Sequence, residues 1–253
     1  MIYIILIFIS HWVLSLFFHT AFLHRYGSHK MYTMHPITEK VFYFSTWMFQ
    51  GSSYLNPRAY AVLHRMHHDY SDTVEDPHSP HFFKDIFSMM VHTKKIYNDF
   101  LTGKKTPESK YCYDLPAWPA LDKIGDYWFV RLGWIAVYTT VYLLLIHFQE
   151  LTYWWLLLLP IHFLIGPVQG AIVNWCGHKY GYSNYNNGDK SKNTEIWGFV
   201  LLGELFQNNH HKFPDSVNFA KKWFEFDPTY AILKVMSWVR IIQFIPVEQR
   251  VNK

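Results

Sequence analysis

Three stretches of the chain are apolar over about the ~20 residues that a bilayer crossing requires: residues 1–23, 127–148 and 153–175. The last two are parted only by residues 149–152, so they read as a helical hairpin. The first has no basic flank before it, too long an apolar run for a secretory leader, and no small-x-small pair after it, so it reads as a retained anchor. A fourth apolar stretch, 41–55, is interrupted by Gln50, Gly51, Ser52 and Ser53 ahead of Asn56 and Pro57. At ~15 residues it suits an interfacial or re-entrant helix better than a crossing.

Between these stretches the chain is polar. Residues 57–126 carry Lys94, Lys95, Lys104 and Lys105, which by the positive-inside tendency mark them as cytoplasmic. Residues 180–193 hold the turn formers Asn186, Asn187, Gly188 and Asp189, and the pattern then predicts a helix over about 194–206. From Pro228 onward Tyr230, Ile232, Leu233, Lys234, Met236, Trp238 and Arg240 mix apolar and basic groups as a helix on a bilayer surface does. The pattern therefore predicts an all-α integral membrane protein. It forms a single domain over 1–253, a transmembrane bundle with a histidine-rich cytoplasmic cap.

Composition agrees. Charged residues make up 17% of the chain, against about 25% in a soluble domain, and a mean hydropathy of −0.05 averages the apolar runs with very polar segments. The net charge of +4 contains no basic block, which excludes nucleic acid as a partner. Cys112 and Cys176 stand alone, which excludes a disulfide framework, a zinc ribbon and an iron–sulfur cluster.

The chain has 16 histidines, and they gather at the ends of the apolar segments. His64, His67 and His68 form H-x-x-H-H, and on a helix offsets of three and four place the rings on one face. Gln207, His210 and His211 repeat that spacing with glutamine first, and Asn174 lies four before His178. His24 and His29 are five apart, so they converge only if the helix ends between them, as Gly27 and Ser28 permit. Imidazoles at helical ligand spacing with almost no cysteine suit iron, zinc or copper. One site for all four clusters requires them on one side of the membrane. The short stretch 41–55 returns to the side it left, and the hairpin 127–175 restores the original side by crossing twice.

These clusters and their flanks resemble the acyl-CoA (stearoyl-type) family of membrane-bound fatty acid desaturases. The matching words are HRYGSH (24–29), HRMHHDYSDTVEDPHSP (64–80), NWCGHKYGYSNYN (174–186), GELFQNNHHKFP (203–214) and WFEFDPTY (223–230). The resemblance implies a cis-desaturase with two non-haem irons that uses O2 and two electrons on a fatty acyl chain. The acyl carrier would be CoA, ACP or a lipid, and the electrons would come from a separate ferredoxin or cytochrome b5-like carrier. By position, His24, His29, His68 and His211 would surround one iron, with Asn174 directly or through water. His64, His67, His178 and His210 would surround the other. Asp69, Asp72 and Asp76 are candidates to hold ring N–H groups. The compact form suggests a bacterial plasma-membrane enzyme with its site on the cytoplasmic face.

Three features depart from the family pattern. One span precedes the first box where the family has two, Gln207 replaces a histidine, and Ala171 stands where the family often has tryptophan. Gln207 is expected within ligand distance of the second iron, directly or through one water, although its neutral oxygen binds iron less tightly than imidazole. A hydroxylase or other oxygenase on the same scaffold, and a non-catalytic metal-handling membrane protein, are the alternative readings.

Overall fold

The computed structural model describes residues 1–246, and the last seven residues of the expected domain lie outside them. The first apolar stretch is helix α1 (Ile2–Phe18), which continues without a break into a π-helical segment, His19–Ser28. Together they form one candidate span, Ile2–Ser28, with only 22% of its apolar window buried. Leu6, Ile9 and Val13 point outward. A helix apolar on its exposed side finds its solvent in lipid. Helix α6 (Trp128–Phe148) is a second span of the same kind, with 11% of its window buried.

After α1 the chain forms β1 (Tyr32–Met34) and α2 (Pro36–Gln50), then a 3-10 turn over Gly51–Ser53. The α2 start is set by the His35 ring, which accepts from the Ile37 N–H, and by Pro36 at the first helical position. At about 1.5 Å per residue its fifteen residues are too short to cross. Helix α3 (Pro57–Tyr70) starts at Asn56, whose side chain accepts from the Arg58 and Ala59 N–H groups. Then come α4 (Ile86–Leu101), α5 (Pro119–Gly125) and α6.

The apolar stretch 153–175 is not one straight helix. It runs as a 3-10 segment (Tyr153–Leu158), α7 (Leu159–Phe163) and α8 (Ile165–Lys179), with a bend of 69° at the break. Pro167 explains the break: it has no N–H to give to the Phe163 carbonyl, and that carbonyl instead accepts from Ser52 Oγ at 2.9 Å. The bend thus ties α7 to the turn that ends α2, and the Gly166 N–H, which donates to Ser53 Oγ at 3.0 Å, ties α8 to it as well.

Residues 194–206 are turns and isolated bridges rather than the expected helix, and α9 (Gln207–Lys212) begins only after them. Gly198 and the left-handed Leu202 and Gly203 prevent a continuous helix there. Helix α10 (Pro228–Trp238) leaves Ile232, Val235 and Trp238 exposed and buries Leu233. The chain then returns in β2 (Ile242–Phe244), antiparallel to β1 with Thr33 opposite Gln243, a small sheet that the helical pattern did not announce.

Two histidines inside the bundle are paired. His11 Nε2 donates to the Phe49 carbonyl at 2.8 Å, which leaves Nδ1 to accept from His162 Nδ1, 2.5 Å away. Tyr142 donates to His162 Nε2 at 2.8 Å. One set of neutral tautomers satisfies the chain from α6 through α7 and α1 to α2.

Candidate metal centre

The π-helical segment explains how His24 and His29 meet. The helix does not end between them as expected; it widens. The His29 N–H donates to the His24 carbonyl at 3.2 Å, an i→i+5 bond, and that pitch brings residues five apart to one face. The C-terminal carbonyls of this widened turn are held by a buried cation: Arg65 of α3 donates to Gly27 O at 3.1 Å and to Ser28 O at 2.9 Å.

Two nests of imidazoles result. In the first, one ring nitrogen from each of His24, His29, His64, His68 and His210 lies within 4.8 Å of the others. His64 Nε2 is 2.8 Å from His29 Nε2 and 3.0 Å from His68 Nε2; His210 Nε2 is 2.9 Å from His68 Nε2 and 3.0 Å from His24 Nε2. The second nest gathers His67, His178 and His211, with His67 Nε2 3.2 Å from His211 Nε2. This corrects the division that the resemblance implied. His64 and His210 belong with the first nest and His211 with the second. On α3, His64 and His68 share a face from which His67 is turned away. On α9, consecutive residues diverge by about 100°, so His210 and His211 enter different nests.

Carboxylates hold the outer edges of these rings. His24 Nδ1 donates to Glu204 at 2.6 Å, His67 Nδ1 to Asp76 at 2.9 Å, His178 Nδ1 to Asp72 at 2.9 Å and His211 Nδ1 to Asp189 at 2.6 Å. A carboxylate only accepts, so each of these rings carries its proton outward and turns the Nε2 lone pair inward. Asp69 takes no part: it faces Lys110 and Tyr111 at 2.9 Å. Glu204 and Asp189 were missed from sequence, and only the GEL and NNGD words around them carry a signal.

Electrostatics follow from burial and these pairs. Burial drives His64, His68 and His210 well below the ordinary imidazole value, with neighbouring rings adding to the shift, and brings His211 to about 4. Burial also pulls on His67, but Asp76 outweighs it and the net shift is upward. Asp72 and Glu204 resist burial through His178 and His24 respectively and fall to about 2. Neutral rings with converging lone pairs lack the donors to satisfy one another, and His178 Nε2 is buried without a hydrogen-bond partner. A cation satisfies them together, and a nitrogen-rich set of this kind fits iron.

Both nests border a cavity of about 700 Å³. His64, His67, Asn174 and Gln207 line it, and Leu63, Val91, Leu101, Leu164 and Val173 give it an apolar wall. Gln207 is buried, and its amide nitrogen donates to Glu204 O at 2.7 Å, which leaves the carbonyl oxygen as its only metal-binding atom. His19 lies on the cavity wall with Nε2 3.0 Å from the Tyr60 hydroxyl, outside both nests. His29 and His68 also border a second cavity of about 280 Å³, beside Arg65 and Tyr113.

The flanking words act as struts. Arg25 is fully buried, pairing with Asp227 at 2.7 Å and Glu204 at 3.2 Å, so DPTY and GEL brace the first nest together. Asn184 and Asn209 both bind Glu225, at 2.6 and 2.8 Å, which fastens the NYN turn and the EFD segment to α9.

The chain is similar in sequence to several known enzymes. An acyl-CoA C20 Delta5-desaturase of Anemone leveillei is 26% identical over 245 residues, 92% of this chain and 70% of its own. A hex-5-enoyl-[acyl-carrier protein] acetylenase of Moorena producens is 26% identical over 246 residues, covering 89% and 71%. An sn-1 stearoyl-lipid 9-desaturase of Synechocystis is 27% identical over 225 residues, covering 86% and 64%. The fatty acid desaturase family model matches residues 1–236, so this membrane chain belongs to the fatty acid desaturases, oxidoreductases that act on fatty acyl chains.

Proposed function

We propose that the chain inserts a cis double bond into a fatty acyl chain at a di-iron centre, using O2 and two electrons from a separate ferredoxin or cytochrome b5-like carrier. The observation that carries this reading is the convergence of eight imidazoles in two nests at the wall of one apolar cavity. His24, His29, His64, His68 and His210 would hold one iron. His67, His178 and His211 would hold the other, with Asn174 and Gln207 completing the set from the cavity side. Bound there, two irons supply the oxygen-activating redox chemistry that removes hydrogen from an unactivated carbon.

The chain's own residues do the rest. The apolar wall excludes water and holds an extended acyl chain against the nests. Glu204, Asp76, Asp72 and Asp189 keep four rings in one tautomer and orientation, and raise their basicity as ligands. Arg65 and Arg25 fix the widened turn that carries His24 and His29. We place the centre on the cytoplasmic face of a bacterial plasma membrane, where the Lys94, Lys95, Lys104 and Lys105 segment also lies. An acyl-CoA, acyl-ACP or acyl-lipid would serve as substrate.

An oxygenase would leave an added oxygen on the chain, whereas the relatives named above are desaturases and an acetylenase. Expression in a host that makes saturated acyl chains tests the reading. Lipids should gain a species two hydrogens lighter than its precursor, and the purified protein should carry about two irons per chain; a hydroxylated product or an iron-free protein would overturn it.

A further inference from the structure

The two nests are unequal: the first holds five imidazoles and the second three, with glutamine at the position that would have supplied another. One histidine beside the second nest has no role in the account so far. His78 is 4% exposed, and both of its ring nitrogens are buried without a hydrogen-bond partner, the only histidine of which this is true among the described residues. Its ring centroid is 4.2 Å from that of His67, and the ligand atoms of His67, Asp76 and His78 lie within 4.8 Å of one another.

The loop presents this ring by design of its backbone. Asp76 accepts from the Asp72 N–H at 2.8 Å and the His78 N–H at 2.9 Å while it holds His67 Nδ1. The same carboxylate therefore orients a second-nest imidazole and fixes the next histidine beside it. Thr93 of α4 holds the Pro77 carbonyl at 3.1 Å, which fastens the loop from the other side. The ring lies on the wall of the large cavity, where an acyl chain offers nothing to pair with either nitrogen. Burying an imidazole with both nitrogens unpaired is unfavourable unless something else binds it.

We propose that His78 is a further ligand of the second iron, the imidazole that replaces the one absent at Gln207. His78 stands outside the His67, His178 and His211 group as it is now arranged, so it joins by side-chain rotation past His67. That rotation breaks no hydrogen bond, because the ring makes none. The inference rests on the reading of the nests as iron sites.

The test is iron per chain in the full-length protein, purified in detergent and challenged with a chelator. The wild type should hold about two irons. His78→Ala and the bulkier His78→Leu, which keeps the space filled, should each hold about one. Adding Gln207→His to either variant should return the second iron, since it restores a nitrogen where His78 substitutes for one. Two irons in both single variants with unchanged resistance to the chelator would overturn the proposal, as would a double variant that fails to regain the metal. Fewer than two irons in the wild type would bring down the iron reading itself, and this inference with it.

Discussion

The first nest is built by backbone and the second by charge. Five rings of the first are brought together by a π-helical turn, one face of α3 and one residue of α9, and a single carboxylate, Glu204, touches them. The second has three rings, each held by its own aspartate from a loop: Asp76, Asp72 and Asp189. A crowded set of rings on rigid elements keeps its shape when one outer contact is lost. A sparse set depends on each contact, so perturbations of the loops should act on the second nest and leave the first in place.

The largest expected effect comes from the rigid nest. His68→Ala removes a ring that contacts both His64 and His210, so product should vanish and iron should fall to about one per chain. Turnover at the wild-type rate in that variant would break the assignment of the first nest. Next, Asp76→Ala frees His67 and the loop behind it. Loss of such a partner costs about 10–100-fold in metal affinity, and chelator titration should show that loss in one of the two irons only.

Acid should separate the nests less sharply. His64, His68 and His210 have depressed pKa values, with His211 at about 4. As pH falls below about 6.5 the unfolded chain takes up protons first, so stability is full above that value and declines as pH drops toward about 4. Iron should be released with the unfolding that this loss of stability promotes, since the rings of the unfolded chain are protonated there and only the neutral ring binds metal. The pairs of Asp72 and Glu204, with pKa values of about 2, should persist below it. A protein that keeps all its iron at pH 4 would contradict this.

Gln207 carries a smaller effect. Gln207→Ala should lose part of the iron and part of the activity, whereas Gln207→His should keep both. Unchanged metal and turnover in Gln207→Ala would show that its amide only bonds Glu204 O. The smallest effect is expected at Asp69, which pairs with Lys110 away from both nests. Asp69→Asn should leave iron content and product unchanged, and a loss of either would mean that a further carboxylate, beyond the four clamps, Asp227 and Glu225, supports the site.

Much of this arrangement was legible in the sequence. His64 and His68 share a nest as their four-residue spacing predicts, whereas His67 and His211 turn to the second, and the long apolar stretches at residues 1–23 and 127–148 became continuous helices. What the spacing concealed was any departure from 3.6 residues per turn. The π-helical His19–Ser28 converts a five-residue interval into a shared face, and a count based on an ordinary helix predicts a break there instead. Pro167 bent the third stretch because the Phe163 carbonyl had a better partner in Ser52, a contact over a long separation that no local pattern reveals. The division of rings between nests depended likewise on which way α9 faces, and its six residues are too few for periodicity to tell. Of the carboxylates, only Asp76 stood near its own histidine; Asp72 was found beside the His64–His68 cluster but holds His178 across the fold, as Glu204 and Asp189 reach His24 and His211.

Lipid mass analysis of a host that expresses the wild-type chain and is supplied with an isotope-labelled saturated fatty acid tests the central claim most directly. The account predicts an O2-dependent labelled acyl chain two hydrogens lighter than its precursor, formed by the wild type and absent with His68→Ala. A labelled chain carrying added oxygen, or the same product from both proteins, would contradict it.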